Sequence, residues 1–475
     1  MRKSVIFILL ILIVLSGGYF ISVYYAGKKT DEFFNRNNGV LYNHSGLKWV
    51  LTDSQKNFFN AQYQTKLSAD NETLFTFEHA AAFDVNINPF NVGYINTKIN
   101  ITTSKKELSR LSDKEFRLNS MIKLNGIDTS AFIEGGSVSD YDVFSGEYEN
   151  LTWKDINAKV FISFKKDIFS FDADIPLIKI DASQDRFFIA ENQTYKGYFN
   201  KKEFDLWLGD WDMNIEKIDF SGDTDRLLLT NLKFQSQISE DKDLMLKHSN
   251  EISFDKFDYA SNFRKSQKSF QQLLDKLDNN NSIENKEELF LSDIIFNVSV
   301  ENLDSESIQK ISKIMSEIDI SDDHQLGGAI MASFGYISDI FAKHPKVVVE
   351  EFSGKISNAS VNISGFAQYV GDGNLMNIYD NFADYIAIKM DFNIDENVFK
   401  EYFRKETYAI YGGYGLEDTT NFMENMAELK MEIFEDEIGI KSQNGVYNGT
   451  FEIKNGEFLL NGKIYERAAG LLPIE

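Results

Sequence analysis

Five histidines, 73 acidic residues and no cysteine bound the chemistry open to this 475-residue chain. The histidines are His44, His79, His248, His324 and His344, and no two stand four apart around a Glu. The helical zinc motif is therefore absent. Asp322-Asp323-His324 offers three donors in a row, but zinc needs a second clustered His, and a solvated loop is the plainer reading. Asp210, Asp212 and Asn214 match the opening of a calcium loop, yet Ile215 and Ser221 occupy the places that require Gly and Glu. They alternate with Trp211, Met213 and Ile215, as the two faces of one strand would. Asp219, Asp223 and Asp225 around Gly222 form an acidic turn of the same kind.

Nucleophilic chemistry fares no better. Ser307 and Lys310 fit a Ser-x-x-Lys spacing on an amphipathic helix pattern, without the partner motifs that would give it meaning. No Gly-x-Ser-x-Gly elbow occurs. Tyr411-Gly412-Gly413-Tyr414-Gly415 lacks the Gly-Lys that would make a phosphate loop, and reads as a connector. At this acidity a glycosidase carboxylate pair cannot be singled out. The absence of cysteine removes disulfides, thiolate zinc sites and Cys nucleophiles together. No catalytic residue, metal ligand or cofactor is assigned.

The elements behind these residues are mostly strands. Val160, Ile162 and Phe164 alternate with Phe161, Ser163 and Lys165, and the same period runs through Leu232–Ile238 and Ile294–Glu301. Clearest is Ile386, Ile388, Met390, Phe392 and Ile394, interleaved with Ala387, Lys389, Asp391 and Asn393. Such strands have one apolar and one polar face, and only four prolines interrupt the chain. Helical periodicity predicts helices over Ser261–Asp278, Ser305–Ile318, Gln325–Phe341, Glu396–Lys405 and Thr419–Glu428. In the third, the small residues Gly327, Gly328, Ala329 and Ala332 would permit close packing.

The expected fold class is α+β and predominantly antiparallel β: an N-terminal transmembrane helix followed by large amphipathic sheets with a helical insertion. Residues 1–27 read as the anchor and 28–278 as a β-rich region. The polar stretch Asp278–Lys286 reads as a linker (279–286), ahead of a helical segment and C-terminal sheet over 287–475.

Val5 to Tyr25 is uncharged and mainly apolar, after Arg2 and Lys3. At about 1.5 Å per residue it spans the roughly 30 Å hydrocarbon layer. A cleavable signal peptide with core Val5–Leu15 is the competing reading, but Tyr24 occupies a place that a cut after Ala26 wants small. Lys28 and Lys29 nearly balance Arg2 and Lys3. The short N-terminal tail then favours a cytoplasmic N-terminus and a large domain outside. A net charge of −24 repels nucleic acid and anionic headgroups. Forty-one Phe and 21 Tyr demand a core, or apolar sheet faces left open to a ligand.

Tyr24-Tyr25-Ala26-Gly27-Lys28-Lys29 with Glu32, Leu206-Trp207-Leu208-Gly209-Asp210, and Tyr447-Asn448-Gly449-Thr450-Phe451 leading to Asn455-Gly456 and Asn461-Gly462 resemble the YdgA-like bacterial proteins. A departure lies at His79, followed by Ala80-Ala81-Ala82 where that family tends to have Gly-Pro. The resemblance implies a single-pass inner-membrane anchor with a periplasmic domain, and supplies no catalytic residues. The sheet pattern is also similar in architecture to AsmA-like envelope proteins, whose apolar sheet faces line lipid grooves. The functional expectation is a non-enzymatic envelope protein that binds an apolar ligand such as lipid, or a partner strand. Ile386, Ile388, Met390 and Phe392 are the candidate groove. An envelope hydrolase and a structural scaffold for an envelope assembly are the alternatives. The bilayer is the expected partner of residues 5–25, and nucleic acid is not expected.

Overall fold

The structure is a computed structural model. It describes residues 24–32, 34–35, 41–42, 47–69, 72–83, 91–101, 116–123, 126–141, 149–163, 168–181, 186–202, 206–222, 225–241, 243–262, 286–316, 323–373, 382–411 and 419–464. Antiparallel strands dominate, with few helices. Two compact units divide the chain, one of Met1–Asp212 with Ser312–Met331 and one of Met213–Ile311 with Ala332–Glu475.

The first unit opens on a helix, α1 (24–32). Then come β1 (Leu41–Tyr42), β2 (Leu47–Lys56), β3 (Asn60–Ala69), β4 (Glu72–Ala82), β5 (Asn91–Ile101), β6 (Phe116–Lys123) and β7 (Gly126–Ile133). These pair in sequence order as an antiparallel meander. After β8 (Gly136–Tyr141) and β9 (Glu149–Trp153), β10 (Ile156–Ser163) returns to pair with β7. β11 (Ile168–Asp181) then shares one edge between two partners: residues 169–174 face β10 and 178–181 face β9. Its other edge carries β12 (Phe187–Lys201).

In the second unit a longer meander follows β13 (Trp207–Ser221): β14 (Asp225–Glu240), β15 (Met245–Asn262), β16 (Lys286–Asp304), β17 (Lys346–Ile356), β18 (Ala359–Tyr369) and β19 (Ile386–Asp395). It closes with β20 (Val446–Lys454), β21 (Glu457–Leu460) and β22 (Lys463–Ile464). From β14 onward each strand pairs with the next. Helices α2 (Ser305–Ser316) and α3 (Asp323–Phe341) lie between β16 and β17, and α4 (Glu396–Tyr411) and α5 (Thr419–Ile438) between β19 and β20. α2 begins where Asp304 Oδ2 accepts the Ser307 backbone N–H at 2.9 Å, an N-cap that satisfies one orphan donor.

Four of the five expected helices are therefore present, α4 and α5 running beyond their expected ends. Ser261 and Asn262 end β15, and the rest of the fifth, 263–278, lies outside the described residues. So do the linker residues 279–285, while β15 and β16 on either side pair down to Asn262↔Lys286. The anchor lies outside them up to residue 23; no described helix is long and apolar enough to cross a membrane. The close packing that the small residues of α3 would permit is not used at Gly327 or Gly328: among the described residues, nothing beyond the helix's own backbone and their chain neighbours comes within 4 Å of a Cβ built there. Of the four small residues Ala329 alone is buried, at 4% exposure, and the neighbouring Ile330 and Met331 are exposed.

Candidate functional site

Directly opposed residues in an antiparallel ladder point to the same face, so register traces which side chains form one surface. In the second unit Phe234, Ile252, Phe296, Phe352, Ile363 and Phe392 stand in one row across six strands. A parallel row holds Ile238, His248, Val300, Val347, Ala367, Ile388, Ile453 and Phe458. Between them run Ser236, Asn250, Val298, Val349, Gly365, Met390, Phe451 and Leu460. The four candidates from the sequence, Ile386, Ile388, Met390 and Phe392, are thus one strand's share of an apolar face that continues through its neighbours. The opposite face is mostly polar; Lys233, Ser253, Asn362, Asn393 and Asn448 belong to it.

Helices cover the two ends of that β19 stripe. At one end Phe392 packs with Phe399 and Phe403 of α4, Met431 of α5, Ile440, Tyr447 and Leu460. Phe399 meets Tyr447 edge-on at 5.5 Å and Phe434 at 4.7 Å. The Tyr447 hydroxyl donates to Glu435 Oε1 at 2.8 Å; burial and that carboxylate push the phenol well above its ordinary range. Glu396, at the start of α4, is held below the usual carboxylate range by Lys400 and the Ser442 hydroxyl. At the other end Ile386 pairs with Tyr369, which is 4% exposed and meets Phe341 of α3 edge-on at 5.0 Å. Between these caps Ile388, Met390, Val298, Val349 and Ala367 are only half-buried, and Val347 is 42% exposed.

Met390 owes its position to a glycine. A Cβ on Gly365, whose φ is +152°, would fall 2.1 Å from the Lys389 carbonyl oxygen and 2.8 Å from Met390 Sδ. The thioether lies across the gap that the missing side chain leaves, and flexible Met suits such an irregular space.

The first unit has a face of its own. Ile127, Ile162, Phe169 and Phe199 share one row, and the three rings Phe169, Phe171 and Phe199 lie 5.9 to 6.3 Å apart. Farther along the meander α1 covers the sheet: Ala26 and Phe34 are buried with Ala61, Tyr63, Ala81, Phe83, Ile95 and Ile122. Phe34 stacks on Tyr63 at 4.2 Å and leans on His79 at 4.8 Å. The Tyr63 hydroxyl donates to Asp31 Oδ1 at 2.5 Å, and Lys56 pairs with the other oxygen of the same carboxylate. Lys56 also donates to the Gly27 carbonyl at 3.3 Å. Burial and Asp31 raise the Tyr63 pKa far above normal.

Beneath Phe34, His79 is 6% exposed and sits between two threonine hydroxyls, Thr65 at 2.9 Å from Nε2 and Thr97 at 2.8 Å from Nδ1. Burial lowers its pKa to about 4, so the ring is neutral, donating from one nitrogen and accepting at the other. This is a structural histidine. His248 meets Ser236 at 3.0 Å on the second unit's apolar face, and His344 follows the end of α3. His44, Asp322 and the His324 side chain lie outside the described residues. Asp210, Asp212 and Asn214 lie along β13, in a strand rather than a loop. Asp219, with Lys217 at 3.0 Å, is buried on the same strand, and Asp223 is outside the described residues. Ser307 is buried, while Lys310 pairs with Glu306 and stands over the Tyr336 ring. Of the 411–415 connector only Tyr411 is described, as the last residue of α4. Among the described residues no three His, Asp or Glu side chains gather as a metal site would require.

The sequence reading missed Asp31, Lys56 and Tyr63. Asp31 stands 25 and 32 residues from its partners, and only the β2–β3 register brings those partners together.

Fold and faces define a β-rich antiparallel protein with a helix docked at its start and one sheet face incompletely covered. The chain belongs to a family of bacterial proteins of unknown function, DUF945, whose model matches residues 1–269 and 283–465. Neither the curated proteins nor the solved structures contain a match.

Proposed function

We propose that this is a single-pass inner-membrane protein, akin to the YdgA-like proteins, whose periplasmic domain binds acyl chains of lipids on the apolar face of its second unit. Val5–Tyr25 supplies the span, by its length and lack of charge. The observation that carries the binding role is the set of parallel apolar rows from β14 to β21, capped by helices at both ends of the β19 stripe and half-buried between. Eight strands at about 4.8 Å spacing give a strip of roughly 34 Å. Apolar surface of that extent, left partly wet, favours an apolar occupant at about 25 cal/mol per Å² covered. Binding of this kind needs no catalytic group.

Photolysis of a diazirine fatty acid in cells making the full chain tests it. Adducts should map to peptides carrying Val298, Val349, Ile388 and Met390. Adducts confined to residues 5–25 would leave the anchor standing and remove the acyl-binding role. A C-terminal reporter active only in the cytoplasm would overturn the topology.

A further inference from the structure

The tip of the β2–β3 hairpin carries two adjacent aromatics, Phe58 and Phe59, at 46% and 47% exposure, their rings edge to face at 5.0 Å. Exposed phenylalanine pairs are costly in water, and this one is pinned: the Phe83 backbone N–H donates to the Phe59 carbonyl at 2.7 Å. Helix α1 fixes where the tip points. Its Phe34 end lies over Tyr63 and His79, inside the sheet. Its Gly27 end lies at Lys56 and Phe83, where a Cβ on Gly27 would meet both at 3.5 Å. Going toward its N-terminus, α1 therefore runs toward the hairpin tip. Tyr25, the last residue of the apolar run, is two residues or about 3 Å of helix beyond Gly27. Phe58 stands in the turn that follows Lys56, which the Asn57 N–H closes by donating to the Asn60 carbonyl at 2.7 Å. Tyr24, 62% exposed, stands at the same end, beside Lys28 and Lys29.

We infer that Phe58 and Phe59 enter the headgroup layer of the bilayer that residues 5–25 span, forming with Tyr24 an aromatic contact that seats the first unit on the membrane. The inference rests on the proposed span. The chain's net charge of −24 opposes general adsorption to anionic lipid. A small apolar tip next to two lysines is the kind of contact that such a charge still permits, and aromatic residues favour the interface.

The absence of cysteine makes the test clean. The full chain carrying Phe58→Cys, labelled with an environment-sensitive fluorophore, is placed in nanodiscs of phosphatidylcholine and phosphatidylglycerol with headgroup-level nitroxide lipids. Emission should shift to the blue relative to the exposed Lys196→Cys and be quenched by the nitroxide. Adding Phe59→Ser to the Phe58→Cys chain should weaken that quenching while the chain stays resistant to carbonate extraction. Emission equal to that of the Lys196→Cys chain, in a carbonate-resistant protein, overturns the inference and spares the span. Release by carbonate removes the span and the inference together.

Discussion

Tyr63 and Asp31, 32 residues apart, are joined by a 2.5 Å hydrogen bond that ties the first helix to the third strand. The carboxylate is shared, since its second oxygen receives Lys56. One side chain thus holds α1 to two neighbouring strands, and a buried aromatic hydroxyl depends on it for a partner.

Asp31→Ala should loosen the docking of α1. It leaves the Tyr63 hydroxyl without its acceptor at a residue only 1% exposed, at a cost of about 1 to 3 kcal/mol. The Lys56 pair, about a third exposed on both sides, adds little. Hydrogen exchange should speed up across 24–35 and the β2–β3 hairpin, with β17–β19 unchanged. Tyr63→Phe should reproduce the smaller part of the loss; equal protection in all three proteins would contradict the shared latch.

His79 gives stability a pH dependence. Its folded pKa is depressed to about 4, below the ordinary 6.5, so the unfolded chain takes up a proton first as pH falls. Its contribution is complete above about pH 6.5 and declines from there toward pH 4, by about 1.4 kcal/mol per pH unit at most. His79→Gln, which can still bond Thr65 and Thr97, should be less stable at pH 8 yet flatter over that window. Denaturant titrations of both proteins at pH 4.5 and 7.5 measure the difference; parallel losses would show that His79 is not the group responsible.

The apolar face separates packing from binding. Phe392→Ala removes a ring packed against Met431, Tyr447 and the α4 aromatics, and should cost about 3 kcal/mol. Met390→Asp, on the half-buried middle of the stripe, should cost less but abolish photolabelling by the fatty acid. Labelling that survives Met390→Asp would move the acyl chain off this stripe.

Gly365→Ala should be among the most damaging small substitutions in the second unit. Its φ of +152° disfavours any side chain, and the new methyl group would meet the Lys389 carbonyl and displace Met390. A loss of about 3 kcal/mol is expected by chemical denaturation. A neutral result would mean that β18 and β19 approach less closely than described.

Much of the architecture was legible where one residue type recurs at one period. Ile386–Ile394 alternates without interruption, and α2 to α5 all begin within two residues of their expected starts. What alternation cannot reveal is the neighbour. Ile388 belongs with Ala367 and Ile453 only because two registers align them, and the Asp31 latch needs the β2–β3 pairing before it exists. Phe58-Phe59 did leave a signal, an aromatic pair between Asn57 and Asn60 in a turn-forming context, though its direction became visible only with α1 in place. The small residues of α3 permit a close approach, but glycine does not supply the partner that would make it.

The ladder between β15 and β16 has a different sort of consequence. Its last described pair, Asn262↔Lys286, brings the two chain ends within about 5.5 Å of each other. Whatever length of polypeptide joins ends already held together adds only a slowly growing entropic term, about 0.6 kcal/mol per doubling. The family match breaks between 269 and 283, inside that same joint. Evolution can therefore lengthen or shorten the molecule there with little effect on the apolar rows of the second unit. An engineer has the same freedom: a tag, a reporter or a two-residue turn placed at this joint should leave the rest of the protein intact.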